Sequence, residues 1–150
     1  GSGCFLSDAC PGGQVCVAAA CVTAFPRTYR VSFDNLRLSA LNGAGEPWDV
    51  MGGLPDPYVV LTLGGAEVHR LSVLADRRGG SWREPVEIAL EADSDLAFTV
   101  YDADPEADAD ERVGEVTVPN LALVVRAGGF QGMVPLLPEI EVFEMTFVPR

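Results

Sequence analysis

The chain has no lysine, a single histidine (His69) and, beyond residue 21, no cysteine. Its ten basic side chains are all arginines, set against 22 aspartates and glutamates, for a net charge of −12. A charge of that sign and size repels phosphate backbones at long range, so nucleic acid is a poor candidate as a partner. One histidine, with no pattern that reads as an activated nucleophile, leaves little for catalysis, and the chain is not expected to be an enzyme. No apolar run approaches the roughly 20 residues that a spanning helix needs.

What is present suffices for a packed core. The 150 residues are 48% hydrophobic and 21% charged, which fits one domain, or one domain with a small appendage, and argues against disorder. Cysteine usage divides them. Cys4, Cys10, Cys16 and Cys21 all fall in the first 21 residues, interleaved with Pro11-Gly12-Gly13, and read as a small disulfide knot. Three pairings are open. Cys4–Cys16 with Cys10–Cys21 is favoured because nested short loops of that size are common in growth-factor-like knots, although spacing alone does not decide it. Zinc is the rival reading. Structural zinc sites prefer cysteine pairs two to four residues apart and often recruit histidine, whereas no pair here is closer than four intervening residues. Disulfides imply an oxidising compartment: periplasm, cell surface or medium. Gly1-Ser2-Gly3 reads as a cloning remnant and no signal peptide is visible, so the native N-terminus is expected to lie elsewhere.

After a linker at residues 22–26, alternation takes over. Tyr29, Val31 and Phe33 face one side, and Leu36, Leu38 and Leu41 continue past a bulge expected near Asp34-Asn35. Further strands are expected at residues 58–63, 67–74, 85–90, 96–101, 113–118, 133–137 and 140–148, with a short helix at 120–126. Gly64-Gly65 turns the second strand into the third, and residues 77–81 form the next turn. Eight strands, no long helix and a turn every eight to twelve positions predict an all-β fold, an eight-stranded antiparallel β-sandwich over residues 27–150. Residues 1–26 form the knot and linker.

The acids are unevenly placed. Asp49 and Asp56 stand seven residues apart in the Gly/Pro-rich connection after the first strand, and residues 101–115 carry seven carboxylates against Arg112 alone. Most such runs are solvated loops. Here, however, Asp102 and Asp104 alternate with Ala103 at the end of a strongly apolar strand, so both leave the same face. Carboxylates held that close repel each other unless a cation sits between them. A hard divalent cation suits oxygen donors, and calcium tolerates an irregular cage where magnesium wants strict octahedral geometry. The acidic loop is not an EF-hand, since the required glycine is missing and the flanks are strands. A paired-carboxylate glycosidase site would need a cleft, and these acids sit on a loop rim.

Four elements in order carry a resemblance: Asp49; Asp56-Pro57-Tyr58-Val59 opening the second strand; Trp82-Arg83-Glu84 at the fourth; and Asp102-Ala103-Asp104 with Asp110 and then Val113-Gly114. Together they resemble the C2 domain, the calcium-dependent β-sandwich family of protein kinase C and the synaptotagmins, over residues 29–148. The resemblance implies that Asp49, Asp56, Asp102, Asp104 and Asp110 are side-chain ligands of two or more calcium ions, with carbonyls such as those of Val50 and Ala103 completing the shells. Asp56, Asp102 and Asp104 take the positions at which the family bridges two ions. One spacing departs from the family, which usually has six residues where Asp49 and Asp56 have seven, and Glu46 is the stand-in for Asp49. Asp108 reads as solvated, and Tyr58, Trp82 and Gly114 read as fold residues. A single strand before the first loop favours the family's permuted, type II topology.

Many relatives dock on phospholipid once calcium neutralises their loops. Two ions would take this chain from −12 only to −8, still repulsive to an anionic surface. Its nearest equivalent of a basic sheet face, Arg70, Arg77, Arg78 and Arg83, is interrupted by Glu67, Asp76 and Glu84. In favour of docking, the first loop offers Trp48, Val50, Met51 and Leu54, which serve equally as a lid or a protein contact. His69 reads as a surface or edge residue of its strand. The expected function is therefore an extracellular calcium-binding module that stiffens or attaches a larger secreted or cell-surface protein. The alternatives are a calcium-dependent membrane-binding module and a structural sandwich with empty acidic loops. Partners expected are calcium ions and either membrane lipid or a cell-surface protein. The absence of lysine and the wealth of alanine, arginine and glycine point to a high-GC bacterial genome.

Overall fold

The computed structural model describes residues 3–41, 44–46, 54–103, 110–130 and 139–150. The chain opens with a single 3-10 turn at Ser7–Ala9 and a hairpin of β1 (Gln14–Val17) and β2 (Ala20–Thr23). Cys4 is bonded to Cys16 and Cys10 to Cys21, the favoured pairing. The sulfurs of Cys4, Cys10 and Cys21 lie within 4.8 Å of one another. As all are consumed in disulfides, no thiolate remains for zinc. This segment is packed onto the rest of the molecule. Val15 is fully buried in the main core, with Val17 and Val22 against it.

The sandwich follows as β3 (Arg27–Leu38), β4 (Pro57–Leu63), β5 (Ala66–Arg70), β6 (Gly79–Leu90), β7 (Leu96–Asp102), β8 (Glu111–Thr117), α1 (Leu121–Ala127), β9 (Gly129–Phe130) and β10 (Ile140–Pro149). Two antiparallel four-stranded sheets result, in the orders β6-β3-β10-β9 and β5-β4-β7-β8. One sandwich strand, β3, precedes the connection at 39–56, which is the permuted order. Phe33 sits where the sheets meet, edge-on to Trp82 (6.2 Å), Phe98 (5.6 Å) and Phe143 (6.4 Å), the arrangement aromatic quadrupoles favour.

The phase change in β3 has a visible cause. Glu144 lies opposite Asn35 and Met145 opposite Phe33, leaving Asp34 as the extra residue of a bulge. Tyr29, Val31 and Phe33 therefore point inward before it, and Leu36 and Leu38 after it. Leu41 does not continue the pattern, being 47% exposed beyond the end of the strand. In α1, the Asn120 side chain accepts from the Leu123 N–H and Gly128 closes the helix at φ 83°.

Two strand expectations are corrected, and a third is not tested. Gly79 and Gly80 are not in a turn but begin β6, opposite Arg37 and Leu36. A Cβ on Gly79 would stand 1.7 Å from the Leu36 carbonyl oxygen, so glycine here marks a close backbone approach within a strand. The third strand ends at Arg70 rather than residue 74, although Leu71 and Leu74 still donate to the carbonyls of Val59 and Pro57. The strand expected at 133–137 lies outside the described residues, and the partner of β10 that is seen is β9, opposite Thr146 and Met145.

The motif Trp82-Arg83-Glu84 serves this fold in a specific way. Trp82 donates its indole N–H to the Ser72 carbonyl (2.7 Å), and Glu84 accepts from the Ser72 N–H (3.2 Å) and hydroxyl (2.9 Å). These bonds tie the crossing between the sheets to β6, and they hold the Glu84 carboxyl below its ordinary range.

Candidate metal centre

The acids converge at one end of the second sheet because three chain segments begin or end there in register. Pro57, the first residue of β4, lies opposite Asp102, the last of β7, which in turn lies opposite Glu111, the first of β8. Asp56 and Asp110 each precede these strand starts by one residue. Asp56, Asp102 and Asp110 are thus brought into one row by the ladder itself.

Backbone donors hold the first two acids. Asp102, only 3% exposed, accepts from the Asp56 N–H through Oδ1 (2.8 Å), while the Ala103 N–H donates to the Asp56 carbonyl (2.9 Å). The Asp56 carboxylate accepts from the Asp76 N–H (2.6 Å), and the Arg77 N–H donates to the Pro55 carbonyl (2.8 Å). The segment at 74–77 is therefore laced alongside 55–57. Asp76 occupies the left-handed region at φ 55°, which aspartate tolerates better than most residues. Sequence reasoning missed this clamp. Asp76 appeared only as an interruption of the arginine patch, and no local signal marks a backbone N–H that acts 20 positions away.

It also placed Tyr58 with the fold alone. The Tyr58 hydroxyl donates to Asp110 Oδ2 (2.6 Å). Its ring stacks on Tyr101 at 5.4 Å with an interplanar angle of 16°, and the Arg70 guanidinium lies over it at 5.3 Å. Burial, followed by the bond to Asp110 and the charge of Asp110, pushes the Tyr58 phenol up to about 12, and Arg70 pulls in the opposite direction. The phenol is thus protonated, and a donor, throughout the physiological range.

Of the remaining expected site residues, Asp49 and Asp104 lie outside the described residues, as do Trp48, Val50 and Met51. Leu54 is 43% exposed just before Asp56. Glu46 and Asp110 are exposed. His69 lies in β5 opposite Leu61, and no hydrogen-bond partner reaches its buried Nε2 among the described residues. The donor set that is described consists of carboxylate oxygens, one of them on a buried side chain. Among the described residues no three carboxylates bring their oxygens within 4.8 Å of one another, but a donor set of oxygen alone suits a hard cation such as calcium and not a metal that seeks nitrogen or sulfur.

The C2 domain family model matches residues 34–133. The E3 ubiquitin-protein ligase RSP5 of Emericella nidulans is 32% identical over 68 residues, which make up 45% of this chain and 8% of the ligase. The chain thus spans less than a tenth of that relative's length. Among solved structures, a pair of C2 domains from Extended-Synaptotagmin 2 aligns with a TM-score of 0.62 at 16% identity, over 83% of this chain and 41% of that one. The calcium-bound form of the same pair aligns with a TM-score of 0.60 at 17% identity, over 83% and 46%. At such identities the likeness is one of fold.

Proposed function

This chain belongs to the C2 domain family, and from that premise we propose that it is a calcium-binding module that stiffens or attaches a larger extracellular or cell-surface protein. The observation that carries this reading is the row of Asp56, Asp102 and Asp110, with a buried carboxylate at its centre. Asp56, Asp102 and Asp110 would hold two or more ions, joined by Asp49 and Asp104 from the adjoining loops. Bound calcium would supply positive charge that offsets the mutual repulsion of these acids. The chain's own part is to fix the carboxylates in advance, Asp102 by the Asp56 N–H and Asp56 by the Asp76 N–H. The two disulfides support a compartment outside the reducing cytosol. The reading is one of binding, not of catalysis.

Extracellular modules of this kind need only weak sites, with a Kd of about 10⁻⁴–10⁻³ M. Calcium at a hundredfold excess over Kd should then stabilise the fold by about 2.7 kcal/mol. The test is calorimetric titration of calcium into chelator-treated protein, with an Asp102→Asn/Asp104→Asn variant alongside. Saturable binding of about two ions, lost in the variant, is expected. No heat, together with a melting temperature indifferent to calcium and chelator, would refute the reading.

A second reading, calcium-dependent docking on phospholipid, is favoured by the exposed Leu54 two residues from Asp56. Pelleting with liposomes in calcium but not in chelator would support it. A protein left in the supernatant at every lipid composition would remove it.

A further inference from the structure

Resting on the calcium reading, we propose that Tyr58 is a positioning residue of the metal site: its phenol orients the Asp110 carboxylate for the ion. Asp110 is exposed and stands one residue before β8, so the direction in which its carboxylate points depends on the bonds made to it. The Tyr58 hydroxyl binds one of its oxygens at 2.6 Å.

The donor is itself rigid. Tyr58 is 5% exposed, its ring is stacked on Tyr101 from the neighbouring strand, and Arg70 covers it. Strand β4 therefore does two things at one end. It presents Asp56 directly, and two residues later it reaches across β7 to set an acid delivered by β8. Hydrogen-bond partners behind a ligand raise metal affinity because they remove the cost of ordering that ligand, and losing one commonly weakens binding about 10- to 100-fold.

The experiment measures calcium affinity by calorimetry for wild type, Tyr58→Phe, Asp110→Asn and the double variant, with Tyr101→Phe as control. Phenylalanine keeps the stack and deletes only the hydroxyl. Tyr58→Phe is expected to bind calcium about tenfold more weakly, Tyr101→Phe as wild type does, and the double variant no more weakly than Asp110→Asn alone. That last result separates action through Asp110 from a general loosening of the sheet, which would add to the Asp110→Asn effect. Wild-type affinity in Tyr58→Phe, or additive losses, would overturn the proposal while leaving the calcium site standing. Absence of binding in the wild type would overturn both. Should Tyr58→Phe not fold, the tyrosine difference spectrum of the wild type decides: it must saturate with the calcium isotherm, and an unchanged spectrum refutes the proposal.

Discussion

The Arg126 guanidinium of α1 donates through Nη2 to the backbone carbonyl of Cys10, at 2.7 Å and across 116 positions of sequence. The Tyr29 hydroxyl makes a parallel tie to the Ala24 carbonyl, also at 2.7 Å. With Val15 buried in the main core, the disulfide-bonded segment is packed onto the sandwich. It should unfold together with it. A single urea transition, the same by far- and near-ultraviolet circular dichroism, is expected, and Arg126→Met should lower stability by about 1–2 kcal/mol. Two separated transitions would contradict this.

The hairpin of the first segment turns through Ala18 at φ 49° and Ala19 at φ 66°. Both are left-handed, as a two-residue turn between twisted strands requires, yet neither is the asparagine or glycine that such turns prefer. That conformation costs an L-residue about 1–2 kcal/mol. Ala18→Asn/Ala19→Gly should therefore raise the melting temperature, by the equivalent of about 1–2 kcal/mol. An unchanged or lower value would show that the turn is unstrained.

Gly79 faces the Leu36 carbonyl so closely that its Cβ would lie 1.7 Å away. Backbone, unlike a flexible side chain, cannot give way cheaply. Gly79→Ala should destabilise the fold by about 3 kcal/mol or more, or prevent folding. Gly12→Ala, which meets nothing within 4 Å, should fall within about 0.5 kcal/mol of wild type. Equal melting temperatures for the two variants would refute the close approach.

Between pH 10 and 12 this chain offers an unusually clean titration. There is no lysine and the cysteines are all bonded, so Tyr29 and Tyr58 can be followed without interference from either. Burial raises Tyr29 to about 12 against the opposing charge of Arg27, and Tyr58 is likewise raised to about 12. Both values lie above that of an unfolded tyrosine, near 10. The stability they contribute is therefore fully present below about pH 10 and is lost as pH rises through about 12. The urea midpoint should fall steadily over that window, in step with tyrosinate absorbance. Tyr29→Phe and Tyr58→Phe should each flatten the fall, and a midpoint constant to about pH 12 would count against both shifts.

Local pattern determined much of this protein in advance. Period-two alternation located β3, continuous apolar runs located β4 and β7, and the change of phase at Asp34-Asn35 announced a bulge, because a strand's side chains report its faces directly. Asn120 and Gly128 bracket α1 for equally local reasons. The spacing of the acids, read with Pro57, Tyr58 and Trp82, identified the family. Tertiary structure decided the rest, since the causes are distant in sequence. Gly79 and Gly80 looked like a turn until β3 was paired with them and the Leu36 carbonyl brought against Gly79. Three disulfide pairings suited the spacing, and only the folded hairpin, which sets Cys16 opposite Cys21 while each bonds elsewhere, selects one. Sequence could list the aspartates but not what holds them. The N–H of Asp76 on Asp56, and the Tyr58 hydroxyl on Asp110, exist only because three strands start and stop in register at the same end of one sheet.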